Sequence, residues 1–177
     1  MNPRRRKLGT MPRSPVRAIT GSLGFLLLGG PMIVAGIVPW LLTRWHGDQG
    51  SAALKALGIV ILLIGSVLVV ETTTRFALQG RGTPAPWAPP EQFVERGSYR
   101  FVRSPMYLGV ILLVLGQALL LGREVLFAWA VVAWLIFEVS LVTWEEPGLR
   151  RRFGASYDDY RRRVKRWIPT RPRSSRY

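Results

Sequence analysis

Apolar residues of this sequence are concentrated in four long runs, which are separated by polar and charged blocks. The runs extend roughly from Ile19 to Thr43, from Ala56 to Val70, from Met106 to Leu121 and from Val125 to Trp144. The first run carries no charged residue, and the fourth contains a single acid, Glu138. A helix needs about 20 predominantly apolar residues to cross a bilayer, so this pattern predicts membrane-spanning helices.

Length decides how many of the four runs can cross. The first and fourth runs are long enough alone, and the second is long enough if its helix continues across Leu54 and Thr72–Thr74. The third run is short, but Gly122-Arg123 indicates a tight turn that joins it to the fourth run as a hairpin. We therefore predict an all-α integral membrane protein with four transmembrane helices. A fully soluble helical bundle is the alternative.

The basic residues predict the orientation in the membrane. The chain has 25 Lys and Arg residues against 10 acids. All but three of the basic residues precede the first run, separate the second run from the third, or follow the fourth; the exceptions are Arg44, Lys55 and Arg123. Because basic residues accumulate in cytoplasmic segments, we expect both termini and the central loop in the cytoplasm, near anionic lipid head groups. No soluble domain is long enough to favour a nucleic-acid partner.

The same pattern divides the chain into four segments. Residues 1–18 form a basic cytoplasmic tail, residues 19–79 the first two transmembrane helices, and residues 170–177 a second basic tail. Residues 80–169 form a core of a cytoplasmic loop, the helical hairpin and a C-terminal helix. The chain has no Cys and a single His, His46, which excludes disulfides and thiolate chemistry and argues against a metal site or a Ser-His-Asp triad.

The third helix is expected to begin at a motif that suits an anion. Ser104 is a good N-cap residue, and Pro105 is favoured at the first helical position. The free N–H groups at such a helix start, together with the positive end of the helix dipole, stabilise an anionic group. This motif indicates either a well-capped helix or a ligand site at the cytoplasmic surface.

Two adjacent acids, Glu145 and Glu146, end the fourth run. Glu145 lies 38 residues after Tyr107, about two membrane crossings, so both are expected at the same face of the membrane. In a regular helix, Glu138 lies two turns before Glu145 on nearly the same stripe. Acids within a membrane span normally face the protein interior or a wet cavity, so we predict a cleft lined by these two carboxylates, which suits a cation. Surface charge paired with Arg150 is the alternative.

The segment after Pro147 is predicted to leave the membrane. Proline interrupts the helical hydrogen bond to Thr143, so the chain is expected to bend there. Apolar residues then recur at helical spacing, and Ser156 with Asp159 resembles a capping box. This predicts a C-terminal amphipathic interfacial helix on the cytoplasmic membrane surface, with the apolar stripe Phe153, Tyr157, Tyr160, Val164 and Trp167.

Two stretches resemble the isoprenylcysteine carboxyl methyltransferase and phospholipid methyltransferase family. The first runs from Val94 to Gly109 and reads VERGSYRFVRSPMYLG. The second begins with Glu145-Glu146-Pro147 and continues through Phe153, Gly154, Tyr157, Tyr160 and Pro169. The resemblance covers roughly residues 82–169, and the intervening hairpin has the family's order and spacing.

This resemblance implies an integral membrane enzyme that methylates lipid-like or small hydrophobic acceptors with S-adenosylmethionine. In this chain, the start of the third helix would suit the carboxylate of that cofactor. The tyrosines near it would offer their ring faces to a cation or to adenine. No catalytic residue is implied. The cofactor contacts that it implies in this chain are Glu91, Gln92, Phe93, Val94, Tyr99, Ser104, Pro105, Met106, Tyr107 and Glu145.

Two positions differ from the family pattern. Members commonly have His or Asn where this chain has Ser104. The prenylcysteine enzymes place an Arg about one turn before the acidic pair, whereas Ser140–Trp144 contains none, which disfavours a prenylcysteine substrate.

Two other classes of protein stay open. One is an NADPH oxidoreductase similar to sterol reductases, whose C-terminal region has an Arg-x-Pro-x-Tyr motif. The other is a non-catalytic membrane scaffold.

Overall fold

The computed structural model describes residues 29–47, 51–78 and 97–170, and these residues form helices and turns without a strand. Helix α1 covers Gly30–Thr43 and contains a π-helical turn at Ile33–Ile37, and helix α2 covers Ala52–Leu78. A 3-10 turn at Gly97–Arg100 precedes helix α3 at Pro105–Leu121. Helix α4 covers Glu124–Phe153, with a π-helical turn at Leu141–Glu145, and helix α5 covers Ala155–Arg163.

Two of these helices are long and apolar enough to cross a membrane. They are the Ala52–Arg75 part of α2 and the whole of α4. Helix α2 presents large apolar side chains outward, with Leu63 62% exposed and Val67 66% exposed, as a helix in lipid does. The predicted continuation of α2 past Thr72–Thr74 is confirmed. Helices α1 and α3 are shorter, and the beginning of the first apolar run lies outside the described residues.

Helices α2 and α3 are in contact through two pairs of glycines. A Cβ atom added to Gly65 would lie 2.8 Å from the carbonyl oxygen of Gly109, and one added to Gly58 would lie 2.8 Å from that of Gly116. Only glycine allows the two backbones to approach so closely. Small residues of this kind are the usual basis of helix packing in membranes, where lipid removes the hydrophobic driving force.

Two backbone carbonyl groups of helix α1 accept hydrogen bonds from side chains of the hairpin. Pro39 has no N–H, so it cannot donate a helical bond to the carbonyl of Ala35, four residues earlier, or a π-type bond to that of Val34. Instead, Gln117 Nε2 of α3 donates to the Ala35 oxygen at 2.7 Å, and Trp129 Nε1 of α4 donates to the Val34 oxygen at 2.8 Å. Both carbonyls are therefore satisfied by other helices.

The turn between α3 and α4 is the predicted one. Gly122 adopts a left-handed conformation with φ of 64°, and its N–H bonds the carbonyl of Ala118. Glycine is the residue that adopts this conformation without steric cost, so it ends α3 sharply. Helix α4 begins two residues later, and the two helices pack as an antiparallel hairpin with Val114 and Ala130 in its core.

A C-terminal helix is present, but it is shorter than the predicted stripe. Helix α4 ends at Phe153, Gly154 with φ of 53° separates it from α5, and α5 ends at Arg163, before the last two residues of the stripe. Ser156 therefore lies within α5 and does not cap it. Tyr157 and Tyr160, each 3% exposed, pack with Val164 into a cluster with the end of α4, so this part of the stripe faces protein and not lipid.

The fourth helix continues past Pro147, the position at which a bend was predicted. The chain remains helical from Glu124 to Phe153, and the π-helical turn at Leu141–Glu145 comes immediately before the proline. A π-helical turn contains one extra residue and changes the hydrogen-bond register, which accommodates the N–H that proline lacks.

Candidate functional site

The candidate site lies where the start of α3 faces the π-helical turn of α4. The hydroxyl of Tyr107 donates a hydrogen bond of 2.9 Å to Oε2 of Glu145, which confirms that the hairpin returns this acid to the face where α3 begins. The ring of Tyr107 packs against Phe137 at 4.7 Å between centroids, so the tyrosine is held by α4 at two points.

Ser104 and Pro105 occupy the predicted N-cap and first helical positions of α3. The predicted capping bond is absent, however, because the Ser104 side chain makes no hydrogen bond to the helix start. Ser104, Pro105 and Met106 are all buried, so their side chains are enclosed by protein. By helix geometry, the N–H groups of Met106 and Tyr107 have no acceptor within α3, so they are the donors that the helix start could offer to an anion.

The turn that carries Tyr99 is held by hydrogen bonds from two other helices. The hydroxyl of Tyr160 in α5 donates to the Tyr99 carbonyl at 2.7 Å, and the neighbouring Ser98 hydroxyl donates to Glu71 of α2 at 2.7 Å. Burial, followed by the negative charge of Glu145, raises the pKa of the Tyr99 phenol well above its usual value. The phenol therefore keeps its proton at neutral pH and can donate a hydrogen bond.

Two of the three acids in this region are neutralised by arginines. Glu146, 9% exposed, accepts hydrogen bonds from Arg103 at 2.9 Å and from Arg166 Nε at 3.0 Å. Glu138 accepts hydrogen bonds from Arg166 and from Trp167 Nε1, the latter at 2.7 Å. Among the residues that the structure describes, Glu145 makes no ion pair, and the Tyr107 hydroxyl is its hydrogen-bond partner.

The π-helical turn explains why Glu138 and Glu145 do not share a face as predicted. In a regular α-helix each residue advances by about 100°, which places residue 145 near the stripe of residue 138. The extra residue of the π-helical turn moves the register by about one position, so Glu146 takes the place expected for Glu145. Arg166 accordingly contacts Glu138 and Glu146, while Glu145 is directed at Tyr107.

These contacts remove another expectation. The predicted alternative pairing of the acids with Arg150 is wrong, because Arg150 lies 3.2 Å from Asp158 instead. In the described ranges, no group of three or more His, Asp or Glu side chains could hold a metal ion.

The segment Val164–Thr170, called here the strap, runs back along the residues that precede α3. The Arg103 N–H donates to the Lys165 carbonyl at 3.0 Å, and the Thr170 N–H donates to the Phe101 carbonyl at 2.8 Å. Trp167 was predicted to belong to an interfacial stripe, and no sequence pattern singled out Arg166. Their contacts with Glu138 join positions 28 and 29 residues apart, and no local pattern reveals such pairs.

The structure thus brings together Tyr99, Tyr107 and Glu145 with the start of α3. Of the other predicted cofactor contacts, Glu91, Gln92, Phe93 and Val94 lie outside the described residues.

Comparison with known proteins gives the family. The family model described as phospholipid methyltransferase matches residues 54–156, which include most of α2, the whole of α3, the turn before α3 and the π-helical turn. The chain therefore belongs to the phospholipid methyltransferase family. Together with the two membrane-capable helices, this membership identifies an integral membrane protein.

Two curated relatives are similar to parts of the chain. A protein-S-isoprenylcysteine O-methyltransferase from Schizosaccharomyces pombe is 39% identical over 80 residues, which are 45% of this chain and 34% of the relative. A protein named methanethiol S-methyltransferase 2, from Bradyrhizobium diazoefficiens, is 37% identical over 71 residues, 40% of this chain and 26% of the relative. The chain thus matches about a third or less of the length of each of these relatives.

Proposed function

We propose that the protein is a membrane methyltransferase that transfers a methyl group from S-adenosylmethionine to a lipid-like or small hydrophobic acceptor at the cytoplasmic interface. The observation that carries the proposal is Glu145, a carboxylate that makes no ion pair with any described residue and lies between two tyrosines and a helix start. Family membership and the names of both relatives support the same reaction class.

The residues present fit this cofactor. S-adenosylmethionine carries a carboxylate, an ammonium and a sulfonium. The N–H groups of Met106 and Tyr107 suit the carboxylate, and Glu145 suits a cationic group. The phenol of Tyr99 can donate to the ligand, and the exposed part of the Tyr107 ring can face a cation. We keep Ser104, Pro105 and the segment Glu91–Val94 as proposed contacts, with Pro105 and Ser104 acting through backbone atoms.

The protein contributes to the reaction by positioning the reactants and by limiting the access of water. The cofactor supplies an activated methyl group. Tyr107 and Glu145 would orient it, and the strap, which is hydrogen-bonded to the residues before α3, would help to limit the access of water from that side. An ionised thiolate or carboxylate acceptor needs no base, so a site whose other two acids are neutralised is sufficient for such acceptors.

The acceptor is proposed to be small and apolar, or lipid-like. Ser140–Trp144 carries no Arg to hold a prenylcysteine carboxylate, although one relative is named for isoprenylcysteine. The other relative is named for methanethiol, a small hydrophobic thiol. Large apolar side chains beside the site, such as Trp144 at 80% exposed and Val139 at 60% exposed, suit an acceptor that arrives through lipid.

Ligand binding by the detergent-purified protein tests the proposal. We expect S-adenosylmethionine and its demethylated product to bind in calorimetric titration, and NADPH not to bind. Incubation with radiolabelled S-adenosylmethionine and a panel of alkane thiols and membrane lipids should then label one acceptor class. Binding of NADPH alone would favour an NADPH oxidoreductase, and binding of none of the three ligands would favour a non-catalytic membrane scaffold.

The proposed topology has four spans, with both termini in the cytoplasm and the basic tails against anionic lipids. We expect reporter fusions placed after Arg123 and at Tyr177 to report opposite sides of the membrane, because the basic residues lie overwhelmingly on one side. A fusion after Arg75 serves as the control and should match Tyr177. The same side for Arg123 and Tyr177 would contradict the proposed topology.

A further inference from the structure

Arg166 of the strap joins two acids of α4 that stand on either side of the π-helical turn. Its Nη1 binds Oε1 of Glu138, while its Nε and Nη2 lie 3.0 and 2.9 Å from Oε1 of Glu146. The Arg166 side chain is 18% exposed and that of Glu146 is 11% exposed. A guanidinium that bonds two carboxylates at once in such a position fixes their separation and direction.

We propose that Arg166 is a positioning residue for the cofactor site, which it serves by holding Glu138 and Glu146 together so that Glu145 alone is presented to the cationic ligand. This inference rests on the proposed function, because it assumes that Glu145 binds the cofactor. Arg166 itself contacts neither Glu145 nor Tyr107 in any described bond, so it acts through the register of α4.

The charges around Glu145 support this role. Both oxygens of Glu138 are engaged, one by Arg166 and the other by Trp167. Glu146 is shared between Arg166 and Arg103, and Nη1 of Arg161 lies 3.9 Å from its Oε2. Loss of Arg166 would leave Glu138 without an ion pair among the described residues and would leave Glu146 with one fewer cation. Because a buried carboxylate such as Glu146 is unfavourable without its cations, α4 would rearrange next to Glu145.

The π-helical turn makes such a rearrangement accessible. A regular α-helix over Leu141–Glu145 would bring Glu145 toward the stripe of Glu138, as the 3.6-residue period requires. In the observed register, Arg166 bonds the acids at 138 and 146 and so excludes that alternative. Breaking the bridge should therefore reduce the fraction of molecules in which Glu145 reaches Tyr107.

A double-mutant cycle separates positioning from a general structural role. We expect Arg166→Gln to weaken S-adenosylmethionine binding by about tenfold in the otherwise native chain, within the range of coupling between residues of one network. In the Glu145→Gln background, the same substitution should change the affinity for S-adenosylmethionine by less than about twofold. Residue 145 then carries no charge, so its direction matters little to the cationic ligand. The measurement is calorimetric titration of the full-length protein in detergent, with circular dichroism to verify folding.

Arg162→Gln is the matched control. Arg162 is 76% exposed, lies just before the strap and pairs with Asp159, so its loss should leave cofactor affinity unchanged. If Arg166→Gln does not fold, the cycle is run with Arg166→Lys. Lysine keeps the charge but lacks the fork that reaches both acids, so about fivefold weakening is expected.

The outcomes distinguish this inference from the proposed function. Failure of the native protein to bind S-adenosylmethionine would overturn the proposed function itself. Native binding with unchanged affinity in the Arg166 variant would overturn only the positioning role. Equal losses in the native and Glu145→Gln backgrounds would also overturn it, because the effect would then be independent of Glu145.

Discussion

Glu145→Gln is expected to weaken the binding of S-adenosylmethionine by roughly ten- to a hundredfold, since a hydrogen bond to a charged group contributes about 1.5–3 kcal/mol. The substitution keeps the size of the side chain and its bond with Tyr107 while it removes the charge. Among the described acids of α4 beside the site, Glu145 is the one without an arginine partner, so no neighbouring carboxylate is available to replace it.

Calorimetric titration with both the cofactor and its demethylated product locates the carboxylate. The product lacks the sulfonium charge and keeps the ammonium. Equal weakening of the two ligands would place Glu145 at the amino-acid end, whereas selective weakening of S-adenosylmethionine would place it beside the sulfonium. Glu124→Gln, at the opposite end of α4, is the control and should bind both ligands normally. A folded Glu145→Gln protein with native affinity for both would contradict the assignment.

Gly65→Leu is expected to destabilise the protein by about 3 kcal/mol or more, at the upper end of what overpacking causes. The new Cβ would lie 2.8 Å from the Gly109 carbonyl oxygen and 3.0 Å from the Leu113 nitrogen, and neither backbone atom can move aside as a flexible side chain would. Helices α2 and α3 would have to separate, and the base of the candidate site would move with them.

Thermal unfolding in detergent, followed by circular dichroism, measures this effect. Gly148→Leu is the matched control, because a Cβ at Gly148 has no neighbour within 4 Å. We expect the control to unfold close to the native temperature and Gly65→Leu to unfold well below it or to fail to accumulate. Native stability in Gly65→Leu would mean that the two helices do not depend on this close contact.

The sequence was sufficient for the features that depend on local chemistry. Hydrophobic length predicted the extent of α2 and α3, and Gly122 predicted the turn between α3 and α4. The hairpin length then placed Tyr107 and Glu145 at the same level, where a hydrogen bond joins them. In each case the prediction depends on the length of a helix or on the residues of one turn.

Three features escaped prediction for physical reasons. A period of 3.6 residues contains no information about a π-helical turn, so Glu138 was paired with the wrong acid. An apolar stripe can face lipid or protein equally well, and Tyr157 and Tyr160 face protein. The contacts of Arg166 depend on how the strap folds back over α4, and nothing in the neighbouring sequence specifies that path.

Pro39 has a consequence for how the protein is assembled. A buried carbonyl without a hydrogen-bond partner is unfavourable, and two carbonyls of α1 accept hydrogen bonds from Gln117 and Trp129 of the hairpin. Both partners are synthesised after α1. We therefore expect α1 to acquire its final contacts only once the hairpin has been synthesised, so that its packing follows that of helices which come later in the chain.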